Sequence, residues 1–240
     1  MTSASASSSN VASHGWKLAF PADEASRAVS FLVDIWKELT THKPKKFDPK
    51  KRENLHTEFL HYYLHAHAKT RGRLTGCWIN EEPHVVLDDP DADDPEIIKR
   101  IRKDITYFSN ASSQGLTLVF EFKKLSPNQK SWKTYIGDEG MGRFVTGDYS
   151  INQPVAIMVG MVIGSRFATI AGLQKLLNTT AKVGFLSMVA QPNGVTVSLP
   201  SALFPANADF DTEHTRTPDK APPGGTSIQL SHLFLDMPVA

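Results

Sequence analysis

Several features that define other protein classes are missing from this chain of 240 residues. Its single cysteine, Cys77, excludes an internal disulfide and predicts a reducing, cytoplasmic setting. The longest apolar run, residues 155–164, is too short to cross a bilayer, so we expect no membrane partner. Lys plus Arg total 26 and Asp plus Glu total 25, so the net charge of +1 favours no class of partner.

The motifs of covalent and nucleotide-driven enzymes are also missing. The chain contains no Gly-x-Ser-x-Gly elbow and no phosphate loop that ends in Gly-Lys-Ser/Thr. The glycines of residues 137–147 do not match the dinucleotide-binding fingerprint. The sequence therefore gives no support to a serine nucleophile or to an ATP-using mechanism.

Hydrophobic patterning predicts a short leader followed by one domain. Residues 1–15 begin MTSASASSSN, which lacks the charged start and apolar middle of a signal peptide, and we expect a disordered leader. Residues 16–240 then form a single α/β (α+β) domain with N-terminal helices and a mixed central sheet. The predicted helices are 22–39, 49–68, 95–103, 154–163 and 166–178. The predicted strands are 104–108, 116–123, 183–189, 195–199 and 227–235, with a long loop over 202–225.

Two segments carry charge of one sign. The acidic segment, residues 88–96 (DDPDADDPE), predicts a solvated loop, because charge runs with proline rarely pack into a core. The basic segment, residues 43–52 (KPKKFDPKKR), is equally compatible with a solvated linker and with contacts to phosphates of a nucleic acid.

The chemistry of the chain is concentrated in the predicted 104–123 hairpin. Alternation along LTLVFEFK places Glu121 and Lys123 on one face of a strand, and pairing with the preceding strand brings Asp104 beside Glu121. Two converging carboxylates suit Mg²⁺ or Mn²⁺, and a neighbouring lysine can orient a water and offset phosphoryl charge. The alternative is a plain ion pair between Glu121 and Lys123 on a solvated face.

These residues resemble the PD-(D/E)XK, or restriction-endonuclease-like, nuclease superfamily. Its signature of an acid on one strand and (D/E)-x-K on the next matches Asp104 and Glu121-Phe-Lys123, although Lys103 stands where the family usually has proline. The chain is similar in particular to bacterial members associated with restriction and phage defence. That similarity spans roughly residues 50–236 and rests on further motifs at 52–54 (REN), 135 (Tyr), 143–145 (RFV), 147–149 (GDY), 158–160 (MVG, in a predicted helix) and 232–235 (HLFL).

The resemblance implies a Mg²⁺- or Mn²⁺-dependent endonuclease that hydrolyses DNA phosphodiesters and leaves 5′-phosphate ends, with RNA not excluded as a substrate. Asp104 and Glu121 would bind metal, Lys123 would position water, and a helix acid, Glu58 or alternatively Glu53, would support the site. The candidates for holding backbone phosphate are Lys124, Arg143 and Tyr135. For Arg143 the alternative is a surface ion pair, and for Tyr135 it is a core aromatic side chain.

Two rival functions follow from the same residues. The first is a restriction-like fold kept as a weakly catalytic nucleic-acid-binding or assembly module, which the intact Asp104, Glu121 and Lys123 disfavour. The second is a histidine-centred metal hydrolase on the helix that carries His61 and His65, which lacks the His-Glu-x-x-His pattern of zinc enzymes. His214, Arg216 and His232 are polar residues that the sequence alone cannot place. A homodimer or an activating defence-system partner would suit double-strand cleavage.

Overall fold

The computed structural model describes residues 20–87, 97–110 and 115–238, with side chains left out for residues 82–87 and 97–102. The predicted leader, residues 1–15, and the acidic segment, residues 88–96, lie outside the described residues. Within the described part of the chain, no helix combines the length and the apolar character that crossing a bilayer requires.

Six α-helices and seven strands make up the described chain. The helices are α1 (Ala22–His42), α2 (Glu53–His67), α3 (Gln129–Ile136), α4 (Met141–Val145), α5 (Arg166–Leu177) and α6 (Thr180–Phe185), and a 3₁₀ turn covers Pro44–Phe47. The strands are β1 (Cys77–Leu87), β2 (Ile97–Ser109), β3 (Leu116–Leu125), β4 (Val155–Val162), β5 (Val197–Ser198), β6 (Phe210–Thr215) and β7 (Ser227–Asp236). The protein is therefore a mixed α/β fold.

All seven strands belong to one sheet with the order β1-β2-β3-β4-β7-β6-β5. The pairs β3–β4 and β4–β7 are parallel, and the other four pairs are antiparallel. The sheet is thus mixed and mostly antiparallel. The parallel strands β3, β4 and β7 form its centre, so β3 is an interior strand with a neighbour on each side and not an edge strand.

Helices cover both faces of this sheet. On one face, α1 and α2 pack against alternate residues of β3 such as Phe120 and Phe122. On the other face, α3, α4 and α5 pack against the intervening positions, among them Val119. The predicted alternation of β3 is therefore confirmed, because its even-numbered apolar residues from Leu116 to Phe122 all belong to the core on the α1 and α2 face. We call this the first core, and the core on the opposite face the second.

The central position of β4 explains an error in the sequence prediction. Residues 154–163 are not a helix, because residues 155–162 form β4 and every one of them is buried. A strand covered by helices on both faces carries an apolar residue at every position, so the period of two disappears and the run resembles a buried helix. The motif at 158–160 consequently lies on a strand.

Further segments differ from the prediction, and α3, α4 and β1 were not predicted at all. The predicted helix over 95–103 is wrong, since residues 97–109 form one long strand, β2. Residues 180–185 form the short helix α6 rather than a strand. The predicted loop over 202–225 contains strand β6, whose residues 210–215 pair with β7. A short apolar run fits both the helical and the strand period, which is why the sequence misassigned the helix at 95–103 and the strand at 183–189. The predictions for α1, α2, α5 and β7 are confirmed to within a few residues.

Candidate functional site

The predicted hairpin forms and brings the two carboxylates to one place. Antiparallel pairing of β2 with β3 sets Ile105 opposite Phe120, so Asp104 and Glu121 occupy the next positions along the two strands. Asp104 Oδ2 accepts a hydrogen bond of 2.8 Å from the Phe122 amide. This bond fixes the Asp104 carboxylate against β3, immediately beside the Glu121 side chain.

Glu121 and Lys123 form a buried ion pair rather than a solvated one. Lys123 Nζ lies 2.6 Å from Glu121 Oε1 and also donates to the Phe122 carbonyl at 3.0 Å. Only 1% of the Glu121 side chain and 12% of the Lys123 side chain are exposed. Glu121 Oε2 is fully buried and has no hydrogen-bond partner among the described residues. A buried carboxylate oxygen without a donor is costly, so its position needs an explanation beyond stability.

The electrostatics of the pair indicate a surplus of negative charge. Burial, reinforced by the neighbouring Asp104, raises the pKa of Glu121 to about 8. Burial also raises the pKa of Asp104, with Lys123 opposing the shift. Burial alone would lower the pKa of Lys123, but the carboxylates of Glu121, Glu53 and Asp104 outweigh it and raise that pKa. Two cations, Lys123 and Arg143, therefore face the three acids Asp104, Glu121 and Glu53, which is a setting that favours an additional cation.

The structure brings Glu53, the alternative helix acid, to Lys123, whereas the predicted Glu58 lies elsewhere on α2. Glu53 lies at the start of α2, where its Oε1 is 3.4 Å from Lys123 Nζ and its Oε2 accepts a 2.7 Å hydrogen bond from the Lys124 amide. Glu58 is an exposed residue one and a half turns further along α2, where it lines a surface groove. Only the first turn of α2 approaches the carboxyl end of β3, so only its first acid reaches the site.

The three candidates for holding phosphate lie in different settings. Lys124 directs its ammonium to the carbonyls of Pro49 and Lys51, which anchors the basic segment to β3 and removes that ammonium from solvent. Arg143 on α4 is half-buried and donates to the Tyr149 hydroxyl, with its guanidinium 5.1 Å from the Tyr149 ring centre. Arg143 also interacts electrostatically with Glu121, so it belongs to the site.

Tyr135 is the candidate that the structure contradicts. It is completely buried, and its hydroxyl lies 2.9 Å from His232 Nδ1. Beyond His232 the chain of hydrogen bonds continues through the Thr212 hydroxyl to His214, whose Nδ1 faces the Leu186 carbonyl at 2.8 Å. This network joins α3 to β6 and β7 inside the second core. Tyr135 is therefore a core aromatic residue and has no route to a phosphate.

Two residues that the sequence did not assign to the site hold its side chains and backbone in position. Tyr149, which appeared only within a family-like motif, holds the Arg143 guanidinium. Arg216 is 5% exposed and donates to the carbonyls of Phe144 and Tyr149, which bracket the turn after α4. No local pattern could have revealed Arg216, because its partners lie about 70 residues away in the sequence.

Among the described residues, the histidines of α2 belong to no group of side chains that is placed to hold a metal ion. His61 and His65 both direct a ring nitrogen to the Trp78 carbonyl, at 3.0 and 3.4 Å. Across the described residues, no group of three or more His, Cys, Asp and Glu side chains is placed to hold a metal ion. Asp104 and Glu121 still fit Mg²⁺, because this ion commonly takes one or two protein carboxylates and fills its other positions with water and phosphate oxygens. The unpartnered Glu121 Oε2 is the atom that such an ion would satisfy.

Comparison of the chain with protein-family models, with curated proteins and with solved structures finds no match. Function must therefore be argued from the geometry of this site.

Proposed function

We propose that this protein is a Mg²⁺- or Mn²⁺-dependent nuclease that hydrolyses DNA phosphodiester bonds on a restriction-endonuclease-like fold. The observation that carries the proposal is the buried Glu121, which pairs with Lys123 through one oxygen and leaves the other without a partner next to Asp104. A purely structural ion pair does not require a second buried carboxylate beside it.

Asp104 and Glu121 are the residues that would hold the cation. When bound, a divalent ion of this type polarises a phosphoryl oxygen and lowers the pKa of a coordinated water. Both carboxylates are short of positive charge, because burial and the neighbouring Asp104 raise the pKa of Glu121, and burial and Glu53 raise the pKa of Asp104. Satisfying Glu121 Oε2 would remove the most costly polar atom in the site.

The remaining side chains supply proton and charge control. Lys123 Nζ stands 2.6 Å from the carboxylate of Glu121, so its N–H groups are placed to donate to an attacking water and to a phosphoryl oxygen. Glu53 would keep Lys123 in this position from the other side, at 3.4 Å. Arg143, fixed by Tyr149, adds a second positive charge on the α4 side of the site.

The rival function is a nucleic-acid-binding or assembly module without hydrolysis. One observation favours it, since the Lys123 ammonium already interacts with Glu121, the Phe122 carbonyl and Glu53, which is a complete set of three partners. A catalytic lysine must release one of these partners when substrate enters. The two functions therefore differ in whether Lys123 exchanges partners.

The biological setting that we propose is a cytoplasmic restriction or phage-defence effector. A homodimer would place two such sites on one duplex, and a partner protein would serve as the activating signal. Both follow from the proposed reaction, since one site cuts one strand at a time.

The test is hydrolysis of end-labelled oligonucleotides, as single-stranded DNA, duplex DNA and RNA of one sequence, with Mg²⁺ or Mn²⁺ and with EDTA as a blank. We expect cleavage with 5′-phosphate ends that Glu121→Gln and Lys123→Met each reduce by about 100-fold or more. Lys130→Met, at an exposed lysine on α3, is the matched control and should retain the wild-type rate. A wild type that neither cleaves nor takes up the ion in a Mn²⁺ titration would favour the binding module.

A further inference from the structure

A groove with aromatic and basic walls runs along the exposed side of α2. It encloses about 590 Å³ and is lined by Lys46, Lys51, Leu55, Glu58, Phe59 and Tyr62. The α2 residues among them recur at intervals of three and four, so they form one stripe of the helix. Tyr62 is 66% exposed and Leu55 is 47% exposed, which is unusual for large apolar side chains side by side.

The aromatic side chains of the groove contact one another and a buried ring beneath them. The Phe59 ring packs edge-on against the buried Phe47 at 5.7 Å and against Tyr63 at 5.2 Å. Tyr63 in turn packs edge-on against Tyr62 at 5.3 Å. Tyr62 is 66% exposed despite this contact, so most of its surface is open to a ligand.

The charge around the groove is positive, unlike that of the chain as a whole. Residues 43–62 carry six Lys and Arg side chains against three Asp and Glu, a local charge of +3 in a chain of net charge +1. Lys46 lies with its ammonium 5.7 Å from the centre of the Phe59 ring. Glu58 also lines the groove and opposes an anion, so the surrounding lysines must outweigh it.

The groove and the candidate active site adjoin the same short segment before α2. Lys51 lines the groove, and its carbonyl accepts a hydrogen bond from the ammonium of Lys124, the residue that follows Lys123. Glu53, at the start of α2, contacts both Lys123 and the Lys124 amide.

We propose that this groove binds unpaired nucleotides of a single-stranded nucleic acid next to the active site. Bases stack on Tyr62 and Phe59, and Lys46 and Lys51 accompany the backbone. A base offers its flat face to an aromatic ring only when it is not enclosed in a duplex, whereas lysines hold phosphates of either form. The proposal rests on the proposed nuclease function and adds to it the class of substrate, namely a single strand or a locally unpaired segment.

The test measures binding in EDTA, so that its outcome does not depend on hydrolysis. Fluorescence anisotropy of the full chain with labelled oligo-dT and oligo-U should show binding that Tyr62→Ala weakens by about tenfold. Lys46→Ala should lower the slope of log Kd against log salt by about 0.7, the value for one phosphate contact on a single strand. Comparing the two oligonucleotides distinguishes DNA from RNA.

Two matched controls and a competing occupant make the test decisive. Phe167→Ala, at an aromatic residue that is 84% exposed on α5, and Lys175→Ala, at an exposed lysine on the same helix, should bind like wild type. Wild-type binding by Tyr62→Ala, equal affinity for a duplex, or no binding at all would each overturn the proposal. A dimer in sedimentation that Tyr62→Ala dissociates would assign the groove to a second copy instead. Binding without cleavage would leave the groove intact and refute only the nuclease function.

Discussion

Arg216 provides a sharp test of how the candidate site is supported. Its guanidinium lies in the interior and donates to the carbonyls of Phe144, Tyr149, Ser150 and Lys220 at distances that include 2.7, 2.8 and 3.2 Å. Burial lowers its pKa to about 10, so the group remains charged at neutral pH and backbone dipoles offset its desolvation. Arg216→Met keeps the length of the side chain and removes every donor.

The loss of stability expected for Arg216→Met depends on which hydrogen bonds those carbonyls keep. Hydrogen bonds to a charged donor contribute about 1.5–3 kcal/mol each, so bonds to four carbonyls set an upper bound near 12 kcal/mol. Three of the carbonyls also accept from backbone amides, namely those of Gly147, Gln153 and Asn152, and they stay partly satisfied after the substitution. Removing a buried charge also recovers some desolvation energy. We therefore expect Arg216→Met to lower the free energy of unfolding by about 3 kcal/mol.

The assay is urea unfolding followed by circular dichroism, with Arg71→Met as the matched control. Arg71 pairs with Glu38 at the surface, where the two side chains are 44% and 38% exposed, so its loss should cost less than about 1 kcal/mol. Because Arg216 holds the turn that carries Tyr149, nuclease activity should fall as well, whereas Arg71→Met should leave it unchanged. Equal destabilisation by the two variants would refute this account of Arg216.

Three further predictions test individual assignments. Glu53→Gln should lower cleavage by about tenfold or more, since it weakens the support of Lys123, whereas Glu58→Gln should not; equal rates would contradict the reassignment. Tyr135→Phe should cost about 1 kcal/mol in urea unfolding and leave nucleic-acid affinity unchanged, because its hydroxyl serves the core alone. His214 has its pKa lowered by burial to about 4, so its contribution to stability is complete above pH 6.5 and is lost as pH falls. We expect roughly 2 kcal/mol less stability at pH 5 than at pH 6.5, and a shallower dependence in His214→Gln; a slope unchanged from wild type would refute this origin.

The sequence predicted the centre of the site because the hairpin is a local structure. Alternation along β3 and the short distance to β2 were enough to place Asp104, Glu121 and Lys123 together. The depth of burial was not predictable in this way. Glu121 is covered because α4 and its turn pack over the second face of the sheet, and that packing involves Arg216 from far along the chain.

The errors have physical causes that local patterns do not contain. The sequence favoured Glu58 over Glu53, because the choice depends on where α2 crosses the end of β3, which no local pattern contains. Tyr135 was chosen from a family-like motif, and the sequence left open that it is a core aromatic residue; its hydroxyl contacts the buried His232, which lies about 100 residues further along the chain. Strand β4 lost its alternation because helices bury both of its faces.

The central claim is that Glu121 takes part in metal-dependent hydrolysis of a phosphodiester. The most direct measurement is a time course of nicking of supercoiled plasmid by wild type and by Glu121→Gln in Mn²⁺, with both proteins shown to be folded by circular dichroism. We predict nicking by wild type that EDTA abolishes and that Glu121→Gln reduces by at least about 100-fold. Equal rates for the two proteins, or nicking that persists in EDTA, would contradict the account.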